Sequence, residues 1–240
     1  MCLDLSYFYF FLQIFFSFLF IIFLFHNNGA LGIIVYSSLA AVVANIQVLK
    51  VVNFGTFEMA EGTIVFCSLF WASDLLTEFF GPRTAFKALW LSFGSVILVM
   101  IWMTLTLWMP VIPSIEGAAV QAAMETLFQP SLRLFAASLG AYAISQTLDI
   151  LILHKLKTRL KGSYLGMRGL LSTLIATCVD HSVFSFLAFR LLPEIPVPWT
   201  LFLHAYLLNG IGLRLLLSLG SPLILWTAPL FLNIKRTYRA

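Results

Sequence analysis

The chain has 240 residues, of which 61% are hydrophobic and 10% charged, with a mean hydropathy of +0.99 and a formal net charge of +4. A soluble domain needs far more polar surface, so the composition excludes one and points to an all-α, polytopic membrane bundle. The basic excess falls in short loops between apolar runs, with no nucleic-acid recognition motif or basic-aromatic stripe, and so predicts no nucleic-acid partner.

The first run, MCLDLSYFYFFLQIFFSFLFIIFLFHNN, has no Lys or Arg, and its apolar core extends from Leu5 to Phe25. A signal peptide has a basic start and a shorter core, so this reads as a retained span. Residues 1–28 are therefore expected to form an extra N-terminal transmembrane segment ahead of a domain over 29–240. Apolar runs of about 20 residues, each long enough for a bilayer of roughly 30 Å, predict spans near 5–25, 30–50, 61–80, 85–110, 131–154, 170–192 and 201–232. The breaks carry Gly, Pro and Asn, as at Asn53-Phe54-Gly55 and Gly81-Pro82-Arg83, and Gly220-Ser221-Pro222 predicts a kink in the overlong last run. Between the fourth and fifth spans, residues 111–130 suit either a short interfacial amphipathic helix or a plain connector.

Arg83 and Lys87, then Lys155, Lys157, Arg159, Lys161 and Arg168, then Lys235, Arg236 and Arg239 fall on one side of a seven-span arrangement, 10 of the 14 basic residues. The opposite loops carry Glu58, Glu61, Glu116, Glu125 and Glu194. The positive-inside rule puts the C-terminus in the cytoplasm and the N-terminus outside.

Four carboxylates lie inside the spans: Asp74, Glu78, Asp149 and Asp180. Each costs about 2.5–3.5 kcal/mol at bilayer depth on insertion scales, so each needs a partner, a proton or a ligand. Asp74 and Glu78 share a helical face four residues apart; Glu78 either belongs to a polar site or pairs at the interface with Arg83 or Lys87. Gln146 and Asp149 share a face of the fifth span, where Asp149 either contributes to a site or pairs with Lys155. Arg133 is expected near the outer boundary. Asp180 is the deepest carboxylate, with no basic neighbour on its own helix, and His181 points about 100° away from it. Asn45 either locks helix packing or contacts a ligand, and the last run offers Asn209 and Arg214, the latter as a counter-charge for one carboxylate.

No catalytic motif is present. The cysteines at 2, 67 and 178 and the histidines at 26, 154, 181 and 204 lack ligand spacing, so no metal, no cofactor and no enzyme activity are expected.

The series ANIQVLK, FWASDLLTEFFGPRTA, RLFAASLGAYAISQTLDILILHKLK and STLIATCVDHSVFSFLAF resembles the queuosine precursor transporter family, over about Gly32 to Leu232. The D-x-x-x-E-x-x-G and A-S-x-x-A-Y-x-x-x-Q-x-x-D blocks are specific in combination. The resemblance implies a six-helix inner-membrane core that imports a 7-deazaguanine base for tRNA queuosine modification, in contact with the lipid bilayer and a small-molecule substrate. It also implies substrate-binding roles for Asn45, Asp74, Glu78, Arg133, Gln146, Asp149 and Asp180. Thr177 stands where the family often has Gln or Asn, Arg214 lies near the place of a last-helix lysine, and the first span is an addition. The alternatives are a substrate-binding membrane subunit that depends on a separate energising module, or a non-transport membrane protein.

The residues fit such a base on chemical grounds. One carboxylate accepts both N1–H and the exocyclic amine, an amide serves the carbonyl, and aromatic rings stack on the plane. Asp180 and Asp74 are the two candidates for the donor edge.

Overall fold

The computed structural model describes residues 2–54, 57–129, 132–193, 195–203, 207 and 209–231. Its helices are α1 (Cys2–Gln47), α2 (Thr63–Leu75), α3 (Pro82–Leu107), α4 (Ile115–Phe128), α5 (Leu132–Arg159), α6 (Leu165–Phe186), α7 (Trp199–Leu201), α8 (Asn209–Ser218) and α9 (Gly220–Phe231). Among the described residues, six helical stretches are long and apolar enough to cross a membrane, and the all-α polytopic class holds. The first of the six is doubled.

A straight 46-residue helix would be about 69 Å long, more than twice a bilayer core. Gly29 breaks it with φ 55° and ψ −133°, a conformation that side-chain-bearing residues rarely adopt. Arms 2–28 and 30–47 consequently run antiparallel, and Gln13 of the first lines one pocket with Gln47 of the second. Both arms pack on α2, Phe10 of the first against Ile64 and Cys67 and Tyr36 of the second against Ser68, and α1 also packs on α3, so the first apolar run belongs to the bundle. Phe25 at the turn is buried against Phe79 and Phe80.

The predicted break near Asn53 holds more structure than a loop. Val51–Phe54 (β1) pairs antiparallel with Phe57–Ala60 (β2), joining the second arm to α2. This ribbon and α4 mark one end of the bundle. The Arg159 to Lys161 turn and the α2–α3 turn mark the other, the basic end. Residues 115–128 are helical with no buried residue, and Ser114 caps them by accepting from the Gly117 amide. That decides for a surface helix over a plain connector.

α2 is the enclosed helix. Two-thirds of its apolar window (67%) is buried, against 22% for α3. It is flanked by α1, α5, α6, α8 and α9. The outward surface is apolar, as Phe11, Phe15, Trp90, Ile101 and Trp102 illustrate, which suits hydrocarbon as solvent. A π-helical turn, Leu76–Phe80, follows α2 immediately after Asp74 and Leu75. Another, Leu187–Leu191, follows α6. Such turns shift the side-chain register of what comes next.

The kink expected at Gly220-Ser221-Pro222 is a one-residue interruption between α8 and α9 at Leu219. Pro222 has no N–H for the Ser218 carbonyl, so the ladder cannot run through. The buried indole of Trp71 fills the gap and donates to the Leu217 carbonyl at 3.1 Å. The tail carrying Lys235, Arg236 and Arg239 lies outside the described residues, as does Glu194.

Candidate functional site

The four intramembrane carboxylates separate into three environments, set by which helices face them. α6 carries Asp180, Thr177, Thr173 and Arg168 along one side at intervals of three to five residues. Arg214, Ser218 and Ser221 line the facing edge of α8 and α9 at the same kind of spacing. Gly169 lets the two surfaces meet: a Cβ there would run into Leu225 and Ser221.

At the ribbon end of this column, Asp180 accepts from Arg214 Nη1 at 2.6 Å through Oδ2, and from Ser145 Oγ at 3.0 Å through Oδ1. Arg214 is the counter-charge. Asp180 stands about 22 Å along α6 from its basic-end start, at membrane depth. The pair lines a cavity of about 80 Å³ together with Asn45, Ser138, Phe66 and Phe184. Asn45 donates to the Ala41 carbonyl at 2.8 Å and accepts from Ser138 at 3.2 Å, so its packing bonds and its place at the cavity coexist. His181 makes a 3.0 Å contact with the Leu207 carbonyl, in keeping with its divergence from Asp180.

About 10 Å further toward the basic end, seven residues along α6, the second environment is fully buried. Asp74 accepts from Thr173 Oγ1 at 2.8 Å, from Ser172 Oγ at 3.5 Å, and from Ser221. Asp149 is likewise fully buried and lies beside Asp74 and Ser172. Neither of its oxygens has a hydrogen-bond partner among the described residues. The expected alternative partner Lys155 does not reach it. Among the described residues, Gln146 Nε2, on the same face of α5, is also buried and unpartnered, as are Ser73 Oγ on α2 and Thr77 Oγ1 in the π-helical turn after it. The hydroxyls of Thr177 and Ser218, 3.2 Å apart, lie between this cluster and the Asp180–Arg214 pair.

At the basic end Glu78 corrects an expectation. Its partners are not Arg83 or Lys87 from the adjoining turn, which are exposed. They are Arg168, at 3.1 and 3.3 Å to the two carboxylate oxygens, and Lys157 at 3.5 Å. The π-helical turn carries Glu78 inward toward α5 and α6, where the fully buried Arg168 guanidinium meets it as a two-pronged donor. Lys157 also bonds the Glu78 carbonyl.

Of the residues singled out in the sequence, Asn45 and Asp180 thus share the cavity. Asp74, Asp149 and Gln146 belong to the buried interior, and Glu78 closes the basic end. Arg133 stands in the first turn of α5 and Asn209 in the first turn of α8, with side chains outside the described residues. Ser138, Ser145 and Ser221 were missed. A stripe of Ser at positions 214 plus four and plus seven was the available signal for Ser221, and the seven-residue spacing of Ser138 and Ser145 on α5 was the signal for those two.

The family described as "Putative vitamin uptake transporter" matches residues 60–224 of the chain. A protein of Bacillus subtilis (strain 168) described as "Probable queuosine precursor transporter" is 31% identical over 194 residues, covering 79% of this chain and 82% of the relative. No solved structure matches it.

Proposed function

Since the chain belongs to the putative vitamin uptake transporter family, we propose that it imports a queuosine precursor. The substrate is a 7-deazaguanine base (7-cyano-7-deazaguanine, 7-aminomethyl-7-deazaguanine or queuine), carried across the inner membrane for tRNA modification. The name of the Bacillus relative supports the substrate class.

The observation that carries the reading is the juxtaposition of Asp180 and Arg214 at the cavity between Phe66 and Phe184. A deazaguanine edge offers two donors, N1–H and the exocyclic amine, beside one carbonyl acceptor. A carboxylate next to a guanidinium offers the complementary pattern. Asn45 and Ser138 add an amide and a hydroxyl, and the two phenylalanines supply apolar faces for the ring. Asp180 is favoured over Asp74 for the donor edge, because hydroxyl groups already occupy Asp74. The basic end is cytoplasmic in this reading, since Arg83, Lys87 and the 155–161 cluster gather there.

The test is uptake of labelled base by vesicles containing the purified protein, with competition among the three bases. Accumulation by the wild type and its loss in Asp180→Asn are expected, with the variant still eluting as a folded species. Normal uptake by Asp180→Asn removes the carboxylate from the site. Absence of binding to all three bases removes the substrate class.

A further inference from the structure

The charges of the bundle interior do not match in number. Glu78 has two cations, Arg168 and Lys157, and Asp180 has one, Arg214. Among the described residues Asp74 and Asp149 have none, although both are fully buried and in contact with each other. Around them, α2 continues to Glu78, α6 carries Arg168 and His181 beside Asp180, and α8 carries Arg214. Asp149's own helix α5 carries His154, the exposed Lys155 and Lys157, while Arg83 and Lys87 of α3 are exposed and α9 has no titratable residue. Among the described residues, every buried cation of this interior is committed to another carboxylate.

Two ionised carboxylates in contact at this depth repel strongly, because little solvent screens them. The hydroxyls divide unequally between them. Thr173 and Ser221 donate to Asp74, with Ser172, whose hydroxyl also reaches the Gly169 carbonyl at 3.0 Å, at the 3.5 Å limit; two committed hydroxyl donors are the pattern of an ionised acceptor. Asp149 receives no donor of good geometry, and the polar groups beside it are the Ser172 hydroxyl and the Asp74 carboxylate. A carboxylic acid at Asp149 resolves both facts at once. Its O–H donates to Asp74, the pair carries a single negative charge, and the oxygen left over needs no donor of its own strength.

We infer that Asp149 carries an exchangeable proton, donated to Asp74, and that this carboxyl pair is the site at which proton movement is coupled to transport. The coupling half rests on the proposed transport function; the occupancy half does not. The position suits the role. The pair lies about 10 Å along α6 from Asp180, with the Thr177 and Ser218 hydroxyls between, and the Glu78–Arg168–Lys157 cluster separates it from the basic end. Alternation between Asp149–COOH and Asp149–COO⁻ changes the charge beside α2, α6 and α9 by one unit. That is enough to favour different packings of those helices in the two states.

Two readouts on the same purified protein test this. Infrared difference spectroscopy on hydrogen–deuterium exchange should detect the carbonyl stretch of a buried protonated carboxyl. The band should disappear in Asp149→Asn, and shift while persisting in Asp149→Glu, which also serves if the Asn variant does not elute as a folded species. A band unchanged in Asp149→Asn, or absent from the wild type, overturns the occupancy. In vesicles, an imposed pH gradient, acid outside, should drive base accumulation by the wild type, and Asp149→Asn should lose that response. Accumulation that follows a sodium gradient instead, or persists in Asp149→Asn, overturns the coupling. A wild type that shows the band but moves no base overturns the transport reading and the coupling together, and leaves the proton on the pair upheld.

Discussion

The Asp180–Arg214 pair makes a quantitative claim about stability. Asp180 is 4% exposed and Arg214 15%, with 2.6 Å between their charged atoms. Removing one member of a buried pair strands the other, at a cost of about 3–5 kcal/mol. Arg214→Gln leaves Asp180 with one conventional donor, Ser145. Its cost therefore belongs near the lower end, about 3 kcal/mol. Asp180→Asn strands the more exposed partner, which can reach toward the cavity, so it costs less, about 2 kcal/mol on the same scale. The double variant Asp180→Asn/Arg214→Gln replaces a charge pair by an amide pair of similar shape. It should be within about 1–2 kcal/mol of wild type, giving a coupling energy of roughly 3–4 kcal/mol. Thermal unfolding of the purified protein in one detergent, followed for all four forms, measures the cycle. Strictly additive single effects, or an Arg214→Gln protein as stable as the wild type, would refute the pairing as the reason Arg214 is there.

Two further outcomes follow from the other buried contacts. Glu78→Gln leaves the fully buried Arg168 with no carboxylate and should lower stability by about 3 kcal/mol, read as a drop in melting temperature; Arg83→Gln, exposed and outside the cluster, should change it by less than about 0.5 kcal/mol. Trp71→Phe keeps most of the buried ring but removes the donor to the Leu217 carbonyl at the α8–α9 interruption. It should cost about 1–3 kcal/mol, and hydrogen exchange at Ser221 and Leu219 should speed up more than in the middle of α5.

Much of the fold was legible because a bilayer imposes length and apolarity on every span. That constraint acts within single segments, so it survives in the linear sequence. The positions of the spans, the turn at Gly81-Pro82 and the surface helix over 115–128 all have local signals. The fold-back at Gly29 was legible only as a break between runs. Its sharpness depends on one residue's backbone angles and on the surface of α2 that receives both arms. The β1–β2 ribbon escaped because four-residue strands carry too little periodicity to register.

The sequence by itself determined that this is a membrane bundle, and which few polar residues lie at depth: Asn45, Asp74, Glu78, Gln146, Asp149, Asp180 and Arg214. Only the tertiary structure decided which of them meet. Asp180 finds Arg214 34 residues away, Glu78 finds Arg168 across 90, and Asp74 finds Ser221 across 147. Spacing along one helix fixes a shared face, but not which neighbouring helix that face turns toward. The cost of an unpartnered charge in hydrocarbon is therefore readable from the chain, whereas its resolution depends on helix packing. On that packing Asp180 opens to a cavity with its cation beside it, and Asp149 is left facing a second carboxylate.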